Sequence, residues 1–162
     1  MNSSRTASPS SYSRAPNRLG LFVAPFLGGR AAIGVLILRA IIGVAFMFHG
    51  YPKLEHPTTW MAHMPLSAFV PAWLQAVVAV VEFFGGLFLT LGLLTPLVTA
   101  LIFCDMFVAL FFVQLPRGAH FVGGRNSYEL TAVYLVAMIA FFLTGPGAIS
   151  VDRWLARRSP TR

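Results

Sequence analysis

Four ionisable side chains lie within long apolar stretches of this sequence. Arg39, Glu82 and Asp105 each fall near the middle of such a stretch, and Glu129 falls near the start of a fourth. A charged side chain at the centre of a bilayer costs at least about 2.5–3.5 kcal/mol on insertion scales, so it normally faces the interior of a helix bundle and finds a partner there. These four residues are therefore the first candidates for binding a polar ligand or moving protons.

Small residues follow each of these charges by about one helical turn, which leaves room for a neighbouring helix to approach. They are Gly43, Gly85, Gly86, Ala109 and Ala132. This spacing predicts that Arg39 and Glu82 are neighbours across two antiparallel helices. Two interpretations stay open. In the first, Arg39, Glu82 and Asp105 line a polar site for a substrate or protons. In the second, Arg39 and Glu82 form a structural ion pair, and Asp105 is a protonated core residue or an interface residue.

A second polar group lies where the first and fourth apolar stretches meet their flanking loops. Its members are His49, Lys53, Arg125, Asn126 and Glu129. His49 and Lys53 are four residues apart and share one face if the first helix reaches Lys53, although Pro52 disfavours helix in that last turn. This group predicts a substrate mouth at the outer face. The alternative is an ordinary rim of side chains that extend to the lipid headgroups.

The histidines and the single cysteine argue against a metal or haem centre. None of the four histidines falls in the middle of an apolar stretch, which excludes a haem held between two histidines of this chain at the bilayer centre. One cysteine, Cys104, excludes an internal disulfide, a thiolate zinc site and an iron–sulfur cluster within the chain. We expect no metal and no covalently bound cofactor, although a site using His49 and His120 near the outer face stays open. Redox chemistry would have to use a borrowed cofactor, such as a quinone or quinol, or a partner protein.

The elements that must position these residues are membrane helices. Of the 162 residues, 57% are hydrophobic and 10% are charged, whereas a soluble domain carries about 25% charged residues. Polar side chains are too few to cover a water-facing surface, which excludes a soluble globule. Four stretches approach the roughly 20 apolar residues needed to cross a bilayer; they span about 31–50, 72–94, 96–115 and 127–146. Backbone groups in lipid must bond within their own segment, so the predicted fold is all-α, an integral membrane four-helix bundle.

Basic residues concentrate outside the apolar stretches and predict the orientation of the chain. Eight of the twelve Lys and Arg residues lie in the two tails. The positive-inside rule then places both termini in the cytoplasm and the protein in the inner (cytoplasmic) membrane. The net charge of +7 follows from the same rule and does not indicate nucleic-acid binding. Residues 1–30 are predicted to be a disordered basic tail that can include an interfacial segment, 31–147 the bundle, and 148–162 a short basic C-terminal helix capped by Ser150.

The polar and glycine residues occur in a distinctive order along residues 31–155. The order is Leu38-Arg39, His49-Gly50 with Lys53, Glu82 followed by Gly85-Gly86, Gly92, Asn126 and Glu129, and finally Gly145-Pro146-Gly147 with Ser150 and Asp152. In this order and spacing the chain resembles the DoxX family of small four-helix membrane proteins. It departs from the family at Thr95-Pro96, where the family often has Thr-Arg. The missing arginine removes a cytoplasmic anchor, and the departure does not involve the candidate site residues.

The resemblance implies a redox-associated membrane subunit near the quinone pool. The family takes its name from a small subunit associated with archaeal quinol oxidase and thiosulfate:quinone oxidoreductase, and bacterial relatives are linked to detoxification and oxidative-stress complexes. By position, the family-like polar residues are Arg39, His49, Lys53, Glu82 and Glu129, carried over only as candidates. Three functions stay open: a quinone-linked oxidoreductase subunit, a non-catalytic anchor or assembly subunit, and a small-solute or proton pathway in a homo-oligomer. The expected partners are the lipid bilayer and either another protein or a second copy of the chain.

Overall fold

The computed structural model describes residues 27–64, 67, 69–124 and 126–158, and this part of the chain is helical. Its α-helices are α1 (Gly29–Glu55), α2 (Ala72–Leu91), α3 (Thr95–Val108), α4 (Glu129–Thr144) and α5 (Val151–Arg158). The helix begun by α3 continues as a π-helix (Ala109–Gln114) and a 3-10 turn (Leu115–Arg117). The all-α prediction is confirmed for these residues. The predicted disordered tail and Arg125 lie outside the described residues, apart from the last few positions before α1.

Three helices are long and apolar enough to cross a bilayer. They are α1 with 27 residues, α2 with 20, and the continuous helix from Thr95 to Arg117 with 23. The apolar helix α4 has 16 residues, or about 24 Å at 1.5 Å per residue, less than the roughly 30 Å hydrocarbon core. The chain is thus a multi-pass membrane protein by its three long helices, and the fourth span stays a prediction.

Successive helices alternate in direction, so the bundle has two distinguishable ends. The α5 end holds the start of α1, the turn between α2 and α3, and α5 itself. The loop end holds the described residues of the connection between α1 and α2 (56–64, 67 and 69–71) and of the connection before α4 (118–124 and 126–128). Pro52 does not end α1, contrary to the expectation from sequence, and α1 reaches Glu55. A proline at this position loses one backbone hydrogen bond and its ring crowds the carbonyl four residues earlier, here that of Phe48, and α1 continues for three residues beyond it in spite of that cost.

Glycines let the backbones of α1 and α2 touch. A Cβ built on Gly43 would lie 2.5 Å from the carbonyl oxygen of Gly86, and a Cβ on Gly50 would lie 2.5 Å from the backbone nitrogen of Phe83. Such close approach of small residues is the usual way in which membrane helices pack. It fixes how the two antiparallel helices are aligned: Gly43 faces Gly86, and Gly50 faces the backbone of Glu82 and Phe83.

The core lies where the first four helices meet, and the outer surface is equally apolar. Phe46, Leu89, Ile102 and Met138 are completely buried, one from each of these helices. Many other large apolar side chains point outward, among them Phe48, which is 76% exposed. An apolar surface of this extent would be a liability in water, whereas in a bilayer it faces lipid tails.

The short helix α5 is fastened to the turn between α2 and α3. The Asp152 carboxylate accepts hydrogen bonds from the backbone N–H groups of Leu94 at 2.8 Å and Thr95 at 2.9 Å. These are free donors at the start of α3, where a negative charge is favoured. The predicted cap of α5 is also present, because Ser150 Oγ accepts from the N–H of Arg153 at 3.3 Å.

Candidate functional site

Three charged side chains from three helices meet inside the bundle. Lys53 Nζ lies 2.5 Å from Glu82 Oε1, with side-chain exposures of 23% and 4%. The Asp105 carboxyl group is their electrostatic neighbour and interacts with both Glu82 and Lys53. We call Lys53, Glu82 and Asp105 the cavity cluster. It combines two of the predicted intramembrane charges with a residue that the sequence placed in the outer mouth.

The alignment of α1 and α2 explains how Lys53 reaches Glu82. Gly50 lies against the backbone of Glu82, and Lys53 follows Gly50 by one turn. Side chains on a helix tilt toward its N-terminus, so the long lysine side chain of α1 extends back toward the level of Glu82. The extension of α1 through Pro52 is therefore what brings this ammonium group into the bundle.

Two oxygen atoms of the cavity cluster are buried without a hydrogen-bond partner. They are Glu82 Oε2 and Asp105 Oδ2. A buried polar atom without a partner costs about 1–3 kcal/mol, so such atoms in a native structure call for an explanation. Because both belong to carboxyl groups that lie beside each other, one proton shared between them would satisfy both.

A cavity of about 390 Å³ adjoins this cluster and is otherwise apolar. Its walls come from α2 and the helix that begins with α3, and its roof is formed by Trp60, Met61, Met64 and Val70 of the connection between α1 and α2. Three of its wall residues, Val77, Leu101 and Val108, are 44–47% exposed on the lipid-facing surface. The cavity is thus open sideways, and a molecule dissolved in the membrane can reach the charged cluster between α2 and α3.

Gln75 holds the roof of this cavity in place. Its side-chain oxygen accepts from the N–H of Met61 at 3.3 Å, and its side-chain nitrogen donates to the carbonyl of Val70 at 3.2 Å. The carbonyl of Gln75 also accepts from Trp60 Nε1 at 3.0 Å, and the Trp60 ring lies 4.3 Å from Lys53 Nζ. Gln75 was not among the residues predicted from the sequence, although a lone amide one turn into an apolar helix is a signal for such a tie.

The π-helical segment Ala109–Gln114 begins one turn after Asp105 and contributes Ala109 and Val113 to the cavity wall. Insertions of this kind within α-helices occur frequently at functional sites. At the end of this segment, Gln114 Nε2 donates to Thr131 Oγ1 of α4 at 2.9 Å. The sequence carries no obvious signal for the π-helix, because no proline or glycine lies within it.

The predicted pair of Arg39 and Glu82 is wrong. Arg39 is fully buried at the α5 end, where its Nη2 donates to the carbonyl of Ile149 at 2.7 Å and its guanidinium lies near Asp152. The alignment through Gly43 and Gly50 explains the error: Arg39 precedes Gly50 by eleven residues, which separates it from the level of Glu82 by about 16 Å along α1. Arg39, Ile149 and Asp152 form what we call the Arg39 cluster.

The remaining members of the predicted outer mouth lie apart from the cavity. Asn126 and Glu129 are exposed, and Asn126 Nδ2 donates to the carbonyl of Arg117 at 3.2 Å. His49 is exposed and its ring packs edge-on against Phe46 at 6.4 Å between centroids. Only Lys53 of this group lines the cavity, and Arg125 lies outside the described residues. Among the described residues, no three His, Cys, Asp or Glu side chains are close enough together to hold a metal ion.

These features define a multi-pass membrane protein with a lipid-accessible cavity that ends in buried charges. The sequence profile of the DoxX family matches residues 34–115, a range that includes Lys53, Glu82 and Asp105. The chain belongs to the DoxX family.

Similar proteins occur in bacteria. The protein named "Putative oxidoreductase CatD" of Bacillus subtilis (strain 168) is 30% identical over 120 residues, which cover 74% of this chain and 85% of that protein. The "Inner membrane protein YqjF" of Escherichia coli (strain K12) is 29% identical over 129 residues, 78% of this chain and 95% of that protein. No solved structure matches the chain.

Proposed function

We propose that this protein is a redox-associated inner-membrane subunit whose cavity binds a quinone or quinol. The observation that carries the proposal is the cavity of about 390 Å³, apolar along its walls and charged at the cavity cluster. Its volume falls within the range of about 300–1,000 Å³ typical of small-molecule sites. A quinone has the matching character, since an apolar ring and tail carry a few polar oxygen atoms.

Each side chain of the cavity cluster has a distinct role in this proposal. Lys53 holds Glu82 in position and has further N–H donors for an oxygen atom of the ligand. Glu82 and Asp105 can accept a hydrogen bond or hold a proton beside the ligand. The bound quinone or quinol would supply the two-electron chemistry, which no side chain of this chain provides. The apolar walls keep water away and so strengthen these polar contacts.

The relatives and the charge distribution support the location and orientation. The Escherichia coli relative is named as an inner membrane protein, and the Bacillus subtilis relative carries a provisional oxidoreductase name. Arg30, Arg153, Arg157 and Arg158 belong to α1 and α5 at the α5 end. By the positive-inside rule this end faces the cytoplasm, the loop end faces outward, and α4 completes a bundle of four spans.

Quenching of Trp60 fluorescence by a short-chain quinone tests the proposal directly. Trp60 lines the cavity, and the other two tryptophans, Trp73 and Trp154, are replaced by phenylalanine for the measurement. We expect saturable quenching of Trp60 in lipid nanodiscs. The matched control keeps only Trp154, which is exposed on α5 at the other end of the bundle, and should show only unsaturable collisional quenching. Equal, unsaturable quenching of both single-tryptophan proteins would contradict a quinone site.

Purification in native lipids separates this proposal from the other functions considered. Extraction and mass spectrometry of the bound small molecules should find a quinone or quinol at a stoichiometry above that of the surrounding lipid. A stoichiometric protein partner without any bound quinone would instead support an anchor or assembly subunit. Proton or solute flux through proteoliposomes, with neither quinone nor partner, would support a pathway in a homo-oligomer.

A further inference from the structure

Lys53 carries the main open hydrogen-bond donor of the cavity. Its side chain lines the cavity and is 23% exposed, whereas the side chain of Glu82 is 4% exposed. An ammonium group has three N–H donors. One of them serves Glu82 Oε1, and the ring of Trp60 lies 4.3 Å from the lysine nitrogen. At least one donor therefore remains for a molecule in the cavity.

Most of the other polar atoms beside the cavity are already used. Trp60 Nε1 donates to the carbonyl of Gln75, and Glu82 Oε1 accepts from Lys53. Glu82 Oε2 and Asp105 Oδ2 are buried, so a molecule in the cavity does not reach them, and one proton shared between their carboxyl groups satisfies both. Of the carboxyl oxygens in the cavity cluster, only Asp105 Oδ1 is left. A carboxyl group that shares a proton is a weaker acceptor than a free carboxylate.

The charges of the cavity cluster offset each other. With one proton between the two carboxyl groups, that pair carries one negative charge, and the ammonium group of Lys53 carries one positive charge. An anionic ligand would add a second negative charge in an apolar, mostly buried place, which is costly without a counter-charge. The open ammonium donor therefore suits a neutral molecule that carries an acceptor oxygen.

We propose that the cavity selects neutral apolar molecules with a carbonyl oxygen, which Lys53 binds, and so holds a quinone in preference to the matching quinol. The inference rests on the proposed function and deepens it by naming the preferred oxidation state of the ligand. A carbonyl oxygen needs only the donor of Lys53. The oxygen of a quinol hydroxyl is a poorer acceptor, because its lone pair is delocalised into the ring. Its O–H group also needs an acceptor, for which only Asp105 Oδ1 remains.

A pair of redox-inert probes isolates the carbonyl oxygen from the electron chemistry. The ketone 4′-heptylacetophenone and the hydrocarbon 4-heptyl-α-methylstyrene share the ring, the tail and a planar head, and differ in one oxygen atom. Each is titrated, as a mole fraction of the nanodisc lipid, against the temperature at which half of the protein leaves the monodisperse peak in size-exclusion chromatography. A ligand of the native state raises this temperature. We expect the ketone to give the same rise at about 10- to 100-fold lower mole fraction, the effect of one hydrogen bond to a charged group.

Two results of this titration would overturn the inference. The first is an equal effect of the ketone and the hydrocarbon, which would show that no donor in the cavity binds the carbonyl oxygen. The second is a larger effect of decanoate, an anionic probe, than of the ketone at the same mole fraction. That result would show that the charges of the cavity cluster do not offset each other.

Lys53→Met supplies the matching variant, because it keeps a long apolar side chain and removes the donor. The advantage of the ketone over the hydrocarbon should disappear in this variant, and Lys53→Arg, which keeps charged donors, should recover part of it. The double variant Lys53→Met/Glu82→Leu, which leaves no unpaired Glu82, should also show no advantage. Arg117→Met is the control, because it removes a positive charge from an exposed residue that does not line the cavity. An undiminished advantage in folded Lys53→Met would contradict the assignment to Lys53.

The same comparison is then made between a short-chain quinone and its quinol under anaerobic conditions. Their displacement of each other from the protein that keeps only Trp60 should favour the quinone by about tenfold or more. Tenfold tighter binding of the oxidised form would lower the two-electron midpoint potential of the bound couple by about 30 mV. Quinol that binds as tightly as quinone, or more tightly, would overturn the inference and leave the proposed function standing. If neither of them binds, both the inference and the proposed function fail.

Discussion

Two buried charged clusters of this protein differ in the space around them. The Arg39 cluster is closed: a Cβ on Gly92 would collide with the Arg39 guanidinium and lie 2.7 Å from Ser150 Cβ. The cavity cluster borders an open volume of about 390 Å³. Both clusters hold buried polar atoms without partners. Charge burial alone therefore does not identify a ligand site; a site also needs room beside the charge and a path to it.

The close packing around Arg39 has a structural purpose. Gly92 adopts a left-handed conformation, with φ at 68°, and ends α2 just where the guanidinium lies. The carbonyl of Gly92 accepts from the N–H of Asp152 at 3.0 Å, and Arg39 binds the carbonyl of Ile149. Arg39 thus holds the segment before α5 against the ends of α1 and α2. In the cavity cluster, by contrast, Glu82 binds the side chain of Lys53 in the last turn of α1, and no described hydrogen bond joins the Glu82 or Asp105 side chain to a backbone group.

Replacing Arg39 tests this contrast with the largest expected effect. Arg39→Leu should lower the free energy of unfolding by about 3–5 kcal/mol, because it removes the buried charge that faces Asp152 and leaves the Ile149 carbonyl without its donor. The measurement is SDS-induced unfolding in mixed micelles. Per folded molecule, quinone quenching of Trp60 should not change. Arg39→Lys, which keeps a positive charge, should recover part of the stability. A loss of ligand binding without a loss of stability would place Arg39 in the ligand site instead.

A pair of double-mutant cycles tests which charges interact. Lys53→Met and Glu82→Leu should each cost about 2–3 kcal/mol, and the double variant should cost less than their sum, because neither charge is then left unpaired. The double variant should nevertheless lose ligand binding. In the control cycle, Arg39→Leu and Glu82→Leu should add within about 0.5 kcal/mol, since the two side chains belong to different clusters. Strong coupling in the control cycle would contradict the alignment of α1 and α2 through Gly43 and Gly50.

Gln75→Leu tests whether the hydrogen bonds of Gln75, rather than the cavity cluster, hold the roof of the cavity in place. The change leaves the N–H of Met61 and the carbonyl of Val70 without partners, so stability should fall by about 1–3 kcal/mol. Hydrogen exchange in residues 59–64 should become faster, and the affinity for quinone should fall severalfold. Gln114→Leu makes the same substitution in a contact with Thr131 and should leave the exchange of residues 59–64 unchanged. Unaltered exchange in Gln75→Leu would show that the loop is held by other contacts.

The smallest effect is expected at the exposed residues of the predicted outer mouth. Glu129→Gln and His49→Gln should each change the free energy of unfolding by less than about 0.5 kcal/mol, as is usual for exposed sites. Neither should alter quinone quenching of Trp60, because neither residue lines the cavity. A clear drop in quinone affinity with either variant would restore the outer mouth as the entry site. It would also show that ligand binding depends on residues outside the cavity cluster.

Much of the helical architecture could be predicted from the sequence. The apolar stretches at 31–50, 72–94 and 96–115 correspond to α1, α2 and the helix from Thr95 to Arg117, because the need to satisfy the backbone in lipid leaves little choice of structure. Pro96 in the first turn of α3 and Ser150 as the cap of α5 were also predictable from local chemistry. The extension of α1 through Pro52 was not, since a proline outside the first turn of a helix usually kinks or ends it.

The sequence by itself also pointed to Arg39 and Glu82 as buried charges and to Asp105 as a partly buried one, because charges in the middle of an apolar stretch have no other place, but Glu129, the fourth candidate, is exposed. Only the tertiary structure decided their partners. Gly43, Gly50 and Gly86 bring two backbones into contact at one alignment, and that alignment places Arg39 beside Gly92 and Lys53 beside Glu82. Residue spacing in the sequence determines only the position of each residue along the axis of its own helix. Which residue of a neighbouring helix lies opposite a given side chain depends on the relative axial position of the two helices. Close packing across the bundle fixes that position.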